Sequence, residues 1–277
     1  VFIGNGSDEL LAFCFPAFFE PGGKPIVFAE ITYSFYPVYA DFFRTPYRLI
    51  PVDDGFNVPV EGYCGENGGV LIANPNAPTG RGLPLSDIER ILRQNEKSVV
   101  ILDEAYVDFG GESAAGLIDR YPNLLVIRTL SKSYSLAGLR VGFALGAADL
   151  IEGIIRVKDS INSYTVDRLA QAGAREAIAD DAYFQETRAR IMRTRDRVTR
   201  ELEKSGFTVI PSQANFVFIS HSRCAGRDLF HKLREKGILV RYFDKPKIDN
   251  YLRVSIGTDE EMDRFLEAAA DLCRRGT

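Results

Sequence analysis

The sequence lacks a long apolar run, a paired-cysteine motif and a strong net charge of either sign. Its Phe-rich opening stretch, residues 10–19, is interrupted by Pro16 and is shorter than the ~18 apolar residues that a membrane helix needs. No basic flank leads into an apolar segment at the start, so we expect no signal peptide. The four cysteines lack the spacing of a zinc site or a redox motif, which predicts reduced thiols in a cytoplasmic protein. A net charge of -4 with mixed signs favours neither nucleic acid nor a membrane as partner, and we expect a small-molecule ligand.

One arginine-rich segment has a composition that could bind the phosphate backbone of a nucleic acid. Apolar residues recur at helical spacing through the same segment, so we favour a long amphipathic helix with its arginines on the solvent-exposed flanks. The apolar set is Phe184, Ile191, Val198 and Leu202, and the arginines are Arg188, Arg190, Arg193, Arg195, Arg197 and Arg200.

The first 150 residues alternate short β-branched apolar runs with helical stretches. Apolar runs of this kind are typical of a sheet covered on both faces, because its strands bury both sides. We therefore expect an α/β fold with a mostly parallel sheet. The candidate strands are residues 25–29, 47–52, 70–73, 98–102, 124–128 and 141–145.

The pattern changes after Tyr164. A long helical stretch to about Ser205 precedes an order of strand, strand, helix, strand, strand and helix, which predicts a smaller α+β unit. We expect a large domain over residues 1–164, followed by a connecting helix and a small domain over 165–277. The candidate elements are strands at 207–209, 215–219, 238–242 and 251–256, with a helix at 226–236.

Chemically useful residues follow several of the candidate strands. In open α/β sheets, ligands bind just beyond the carboxyl ends of the strands. We therefore expect a ring, an amide, a carboxylate, a phenol and a lysine to converge at one edge. The strand endings are Thr32-Tyr33, Asn74-Pro75-Asn76-Ala77-Pro78-Thr79-Gly80, Asp103-Glu104-Ala105-Tyr106 and Thr129-Leu130-Ser131-Lys132.

Lys132 and Asp103 suggest the chemistry of this edge. A lone lysine after a strand is usually a surface residue, but small and hydroxyl residues surround Lys132, and Arg140 can reach an anionic group. An amine in such a setting can form a Schiff base with a carbonyl. Asp103 follows an apolar run and needs a cation, which a protonated pyridine nitrogen would supply.

Asp103 has two other readings. It can be a structural residue that caps a turn. An apolar strand ending in Asp-Glu also resembles the magnesium-binding strand of P-loop ATPases, but no Gly-x-x-x-x-Gly-Lys-Ser/Thr loop lies upstream. The nearest candidate, residues 22–25, is too short and runs into proline.

Residues 4–10 form a glycine turn that opens a helix, with Ser7 placed as its cap. A helix N-terminus among small residues can bind phosphate through its free amides and the positive end of its dipole. The alternative is an ordinary helix cap without a ligand.

Together, segments 4–9, 74–80, 103–106, 128–132 and 139–142 resemble the motif series of fold-type-I aminotransferases, and histidinol-phosphate aminotransferases most closely. The resemblance extends from Val1 to about Thr258. It implies pyridoxal 5′-phosphate as cofactor and a cytoplasmic homodimer. It also implies exchange of an amino group between an amino acid and an oxo acid, namely L-histidinol phosphate and 2-oxoglutarate in histidine biosynthesis.

The resemblance also implies roles for individual residues. Lys132 would carry the cofactor as a Schiff base and then move a proton at the substrate α-carbon. Asp103 would pair with the pyridinium nitrogen, Tyr106 would hydrogen-bond the ring O3′, and Tyr33 would stack on the ring. The expected phosphate ligands are the amides of Gly6, Ser7 and Asp8, with Ser131 and Arg140.

Three further residues are implied to face the substrate. Arg253 would receive the carboxylate of glutamate, and Arg241 the phosphate of histidinol phosphate, because a guanidinium meets both groups with two parallel hydrogen bonds. A lone arginine on a strand is otherwise a surface ion-pair member. Tyr164 is the candidate for a substrate-facing tyrosine.

Two departures from the family pattern stand out. Ala77 occupies the position of an asparagine that contacts O3′, so the expected contact passes to Asn76. The family also has an N-terminal arm and first helices ahead of the residue that matches Val1, and that segment helps to cover the site and complete the dimer. We therefore expect this chain to lack that segment.

Related activities remain open at the level of sequence. The same cofactor frame serves aromatic-amino-acid aminotransferases and threonine-phosphate decarboxylases, and specificity depends on side chains that sequence does not place. A non-catalytic, cofactor-sensing regulatory domain is an alternative of another class. It would need a DNA-binding domain, and it would have no use for the set of Lys132, Asp103 and Tyr106.

Overall fold

The computed structural model describes residues 1–274 and contains a seven-stranded and a four-stranded sheet. The large sheet has the spatial order β1-β7-β6-β5-β4-β2-β3. Strands β2 to β6 run parallel to one another, whereas β7 is antiparallel to both β6 and β1. The predicted, mostly parallel α/β sheet is confirmed. Its strands are β1 (Phe2–Asn5), β2 (Ile26–Ala29), β3 (Tyr47–Ile50), β4 (Gly69–Ala73), β5 (Val100–Asp103), β6 (Leu124–Thr129) and β7 (Val141–Gly146).

Helices cover both faces of this sheet. Every residue of β4 and β5 is buried, as expected for strands between two layers of helices. One apolar cluster packs α1, α2 and α4 on one face, and a second packs α3 on the other. The helices are α1 (Gly6–Phe18), α2 (Phe35–Phe42), α3 (Leu85–Gln94), α4 (Ala148–Ile161) and α5 (Arg168–Ala179).

The later part of the chain builds the smaller α+β unit that the sequence predicts. Its antiparallel sheet has the order β10-β11-β9-β8, and its core packs α6, α7 and α8 against β8, β9 and β11. The elements are α6 (Asp181–Lys204), β8 (Phe207–Ile210), β9 (Phe216–His221), α7 (Gly226–Glu235), β10 (Arg241–Tyr242), β11 (Leu252–Ser255) and α8 (Asp259–Arg274).

The single helical stretch expected up to Ser205 is two helices. The break falls at Asp180, whose backbone leaves the helical region at φ -87° and ψ 64°. Its carboxylate accepts a hydrogen bond from the amide of Tyr183 at 3.2 Å and so caps α6. Strand β1 was not predicted, and the expected strand at 238–242 is reduced to Arg241–Tyr242.

One arginine of the arginine-rich helix is not on a solvent-exposed flank. Arg195 is only 8% exposed, and it donates hydrogen bonds to the carbonyls of Phe109 at 2.7 Å and Ala214 at 3.0 Å. The apolar spacing is otherwise as predicted, with Phe184, Val198 and Leu202 buried. Sequence reasoning missed Arg195 because its partners lie far away along the chain.

Within residues 1–274, no helix has the length and apolar character required to cross a membrane.

Candidate active site

One cavity collects most of the predicted site residues at the carboxyl ends of the parallel strands. Its walls come from the first turn of α1 and from the segments that follow β2, β4, β5 and β6. Lys132 and Asp103 face this same cavity, which the cofactor hypothesis requires. The predicted residues that line it are Ser7, Asp8, Tyr33, Asp103, Tyr106, Ser131, Lys132 and Arg140.

Asp103 is a buried carboxyl group at the end of β5. Its Oδ1 accepts a hydrogen bond from the amide of Ala105 at 3.1 Å, and its Oδ2 accepts one from the hydroxyl of Tyr36 at 3.2 Å. Burial raises the pKa of Asp103 to about 6, although both hydrogen bonds and Lys132 act in the opposite direction. A group in this state gains much from a cationic partner in the cavity.

Lys132 and Tyr106 lie side by side. The Nζ of Lys132 is 5.5 Å from the centroid of the Tyr106 ring, and that ring meets Phe216 edge to face at 5.1 Å. The turn that carries Lys132 is held in place by its neighbour Ser133, which donates a hydrogen bond of 2.6 Å to the carboxylate of Asp108. The neighbouring packing therefore limits how far both side chains can move.

The expected phosphate site is the space beside the first turn of α1, which we call the anion cup and which Ser7 and Asp8 line. Ser7 does not cap this helix. The helix begins at Gly6, and the side chain of Asn5, the residue before it, makes no capping hydrogen bond. The first amides of such a helix have no partner within the helix. Ser7 therefore lies inside the first turn, where its amide and hydroxyl are available to a ligand.

Close approach of the backbone makes this cup possible. Gly6 has a φ of 76°, and a Cβ added there would lie 2.9 Å from the Cζ of Arg140. Gly142 on β7 faces the same turn, where an added Cβ would lie 2.5 Å from the carbonyl carbon of Gly6 and 2.6 Å from the amide nitrogen of Ser7. A side chain at position 142 would therefore meet fixed backbone atoms, and one at position 6 would be strained by the positive φ.

Arg140 reaches the cup from a left-handed backbone conformation, with φ 54° and ψ 51°. Its guanidinium lies 3.5 Å from both the carboxylate of Asp8 and the hydroxyl of Ser131. The hydroxyl of Tyr33 donates a shorter bond, 2.7 Å, to the other oxygen of Asp8. The long contacts of Arg140 are easily exchanged for a stronger anion.

A second cavity adjoins the first and shares Tyr33 and Ala77 with it. Arg241 and Arg253 line this cavity and lie directly opposite each other in the β10–β11 pair. Like charges in that position repel each other, and within residues 1–274 neither guanidinium forms an ion pair with a carboxylate. The Nε of Arg253 is buried without a hydrogen-bond partner. This cavity therefore has the charge pattern of an anion site.

Asn76 and Tyr164 lie elsewhere. The Oδ1 of Asn76 accepts from the hydroxyl of Thr32 at 2.8 Å, and its Nδ2 donates to Ile31 and Thr79. Its amide therefore holds the surrounding loops together, and Ala77 lines the first cavity in its place. Tyr164 is 93% exposed and lines neither cavity.

Sequence reasoning missed Tyr36, the hydroxyl donor to Asp103. Its position three residues after Tyr33 is the one available signal, because it puts a second phenol close in sequence to a predicted site residue. That spacing alone does not show which buried group the hydroxyl meets.

Comparison with known proteins agrees with this geometry. The family model described as aminotransferase class I and II matches residues 1–268. The histidinol-phosphate aminotransferase of Clostridium acetobutylicum is 57% identical over 267 residues, which are 96% of this chain and 76% of that protein. Histidinol-phosphate aminotransferase 1 of Hydrogenovibrio crunogenus is 55% identical over 274 residues, which are 99% of this chain and 77% of that protein.

A solved structure of the Sinorhizobium meliloti histidinol-phosphate aminotransferase, in complex with pyridoxal-5′-phosphate, has the same fold. It is 26% identical and superposes with a TM-score of 0.89 over 98% of this chain and 76% of that one. These matches confirm the resemblance that the sequence motifs predict. The chain belongs to the class I and II aminotransferase family.

Proposed function

We propose that this protein is a histidinol-phosphate aminotransferase that uses pyridoxal 5′-phosphate. It would interconvert L-histidinol phosphate and 2-oxoglutarate with 3-(imidazol-4-yl)-2-oxopropyl phosphate and L-glutamate. The observation that carries this function is one cavity that holds both Lys132 and Asp103 and adjoins a second cavity with two arginines. Neither arginine pairs with a carboxylate of residues 1–274. Relatives more than half identical to this chain have that name.

The residues of the first cavity fit the cofactor. Gly6 and Gly142 let β7 and Arg140 lie close to the first turn of α1, and the free amides of a helix N-terminus can bind phosphate. Asp103 is a buried carboxyl group, and within residues 1–274 it forms no ion pair with a lysine or an arginine, so it suits a protonated ring nitrogen. When bound, pyridoxal phosphate withdraws electrons from the substrate α-carbon.

Lys132 would both hold the cofactor and transfer protons in the reaction. Its amine is the attachment point for the cofactor's carbonyl carbon. With the substrate bound, the free amine of Lys132 would accept the proton from the substrate α-carbon and would deliver a proton to the C4′ position of the cofactor. Tyr106, 5.5 Å from the amine by its ring centroid, would donate to the ring O3′, and Tyr33 would stack on the ring.

Arg253 and Arg241 would hold the anionic groups of the two substrates. The second cavity has a volume of about 500 Å³, within the range of small-molecule sites. The guanidinium of Arg253 lies over the Phe216 ring at 5.2 Å, and Phe216 in turn contacts Tyr106. Arg253 is therefore linked through Phe216 to Tyr106 of the first cavity, which suits the α-carboxylate of glutamate, and Arg241 suits the phosphate.

A second copy of the chain would complete the molecule in the cytoplasm. Helix α2 exposes Phe35, Val38 and Phe42, with 46%, 52% and 77% of their surfaces accessible. These residues follow one face of the helix, and an exposed apolar patch of this kind is typical of an association surface. We therefore propose a homodimer that uses this face.

The test has two parts. Borohydride reduction of the cofactor-loaded protein, followed by peptide mass analysis, should place the cofactor on Lys132, and Lys132→Arg should abolish the adduct. A substrate panel should then show amino transfer from glutamate and from histidinol phosphate. Preferred use of phenylalanine or tyrosine would instead identify an aromatic aminotransferase. Release of carbon dioxide from threonine phosphate would identify a decarboxylase, and cofactor binding without amino transfer would identify a sensor.

A further inference from the structure

Tyr36 is a fully buried tyrosine whose hydroxyl forms a hydrogen bond. It lies on α2, none of its surface is exposed, and its hydroxyl oxygen is 3.2 Å from the Oδ2 of Asp103. A buried hydroxyl needs a partner, and in the described structure that partner is the carboxyl group that faces the first cavity. The hydrogen bond connects a helix on one face of the sheet to the end of its central strand.

The ring of Tyr36 is held independently of its hydroxyl. It packs edge to face against Phe28 at 5.7 Å and 71°, and against Tyr33 at 5.7 Å and 83°. These contacts need only the aromatic ring. Tyr36→Phe therefore removes the hydrogen bond and leaves the packing in place.

Several groups face Asp103, but few donate to it. Tyr36 and Tyr39 approach from α2, Asp8 from α1, Tyr33 from the segment after β2, and Lys132 from the segment after β6. Among the described residues, hydrogen bonds reach the carboxyl group from the amide of Ala105 and the hydroxyl of Tyr36. Each donor is assigned to a different oxygen, so the two together fix the plane of the carboxyl group.

A hydroxyl that donates to a carboxylate stabilises its ionised form. Asp8 repels that ionised form, and burial disfavours it. Of the two hydrogen bonds to Asp103, only the one from Tyr36 comes from a side chain, so it is the contact that substitution can remove.

We propose that Tyr36 is a positioning residue for the reaction, because its hydroxyl keeps Asp103 ionised and oriented toward the ring nitrogen of the cofactor. This role rests on the function proposed above. Without the hydroxyl, Asp103 becomes a stronger base and takes the proton from the ring nitrogen. The ring then withdraws fewer electrons, and proton removal at the substrate α-carbon slows.

The first experiment follows the ring nitrogen in protein loaded with ¹⁵N-labelled pyridoxal phosphate. In Tyr36→Phe the ¹⁵N resonance should move toward the position of unprotonated pyridine, and kcat should fall about tenfold with little change in KM. Tyr39→Phe is the matched control, since its hydroxyl donates to the backbone carbonyl of Asp8 and not to Asp103. The ¹⁵N resonance of the control should stay at the wild-type position.

The second experiment uses the protein without cofactor, so it does not depend on the proposed function. The ¹³C titration midpoint of the Asp103 carboxyl group should rise by about one pH unit in Tyr36→Phe. Site-specific 3-fluorotyrosine at position 36 is a stronger donor and should lower the midpoint. This second variant also serves if Tyr36→Phe does not fold.

The outcomes separate the two hypotheses. An unchanged Asp103 midpoint in both Tyr36 variants overturns the role of Tyr36, even if the wild type transfers amino groups as proposed. Absence of a cofactor adduct on Lys132 in the wild type refutes the proposed function, whereas midpoints that shift in opposite directions would still support the link from Tyr36 to Asp103.

Discussion

At residue 103 a carboxyl group is buried in a place where water does not stabilise its charge. Burial raises its pKa to about 6, so between pH 4 and 6 the folded protein holds a proton on Asp103 that the unfolded chain has lost. A proton bound only in the folded state means that the free energy of unfolding decreases as the pH rises. Ionised Asp103 therefore lowers the stability of the folded protein, and a cation bound beside it would restore that stability.

Asp103→Asn should remove this pH dependence in the cofactor-free protein. The cost of ionising Asp103 is absent below its unfolded pKa of 3.8 and complete above about 6, where it reaches about 3 kcal/mol. Urea unfolding at several pH values should show that the free energy of unfolding of the variant, relative to that of the wild type, increases as the pH rises through this window. In the control, Asp54→Asn at an exposed position, the free energy of unfolding should not rise relative to the wild type over this pH range. If the difference in unfolding free energy between Asp103→Asn and the wild type were the same at every pH, the assignment to Asp103 would be contradicted.

Arg241 and Arg253 should separate the two substrates. In Arg253→Met the KM for glutamate should rise about a hundredfold, because a charge-assisted contact to the carboxylate is lost. Arg241→Met should raise the KM for histidinol phosphate and leave that for glutamate near the wild-type value. Steady-state kinetics with each substrate varied in turn is the measurement, and each variant is the control for the other. Equal effects on both substrates would refute the division of roles.

At the scale of elements, the junction of α1 with β1 and β7 shapes the expected phosphate site. Gly4 on β1 pairs with Gly142 on β7, and this pairing brings the backbone of β7 against the first turn of α1. Helix dipole and free amides then point at the same space. The cup therefore depends on the close approach of three backbone segments as much as on the polar side chains.

Gly142→Ala should damage this cup. An added Cβ would lie 2.5 Å from the carbonyl carbon of Gly6, so the first turn of α1 must move, at a cost of about 1–3 kcal/mol in stability. We expect the dissociation constant for pyridoxal phosphate to rise at least tenfold. Gly116→Ala is the control, since no atom lies within 4 Å of its added Cβ. Cofactor titration and thermal unfolding of both variants test this, and cofactor binding as tight as in the wild type would exclude the clash.

At the scale of the whole molecule, Arg195 connects the two units that share the site. From α6 it holds the carbonyl of Phe109, in the turn after Tyr106, and that of Ala214, just before β9. Ala214 packs in one small cluster with Ala77, Phe216 and Tyr106. The guanidinium thus fixes the distance between the segment with Tyr106 and the sheet with Arg253.

Arg195→Met should loosen this connection. The variant keeps most of the side-chain volume but leaves two buried carbonyls without donors, which costs about 2–4 kcal/mol of unfolding free energy. Arg193→Met, on the exposed side of the same helix, should change stability little. Urea unfolding measures both. Equal stability of the two variants would show that water replaces the Arg195 hydrogen bonds.

The sequence by itself determined which reactive residues gather at one edge of the sheet. Residues that follow parallel strands reach the same edge whatever the details of packing, so the shared location of Lys132, Asp103 and Tyr106 could be predicted from the strand endings. Alternating apolar runs also determined the α/β class and the smaller second unit, because burial on both faces imposes that pattern.

Only the tertiary structure decided which side chains meet. Tyr36 and Asp103 are 67 residues apart, and Arg195 and Phe109 are 86 apart, so no local spacing predicts either contact. The same holds for Asn76, whose amide turns into the loops and leaves Ala77 at the cavity. The sequence pattern records which positions are apolar, but the direction and partner of a buried polar group depend on packing between distant elements.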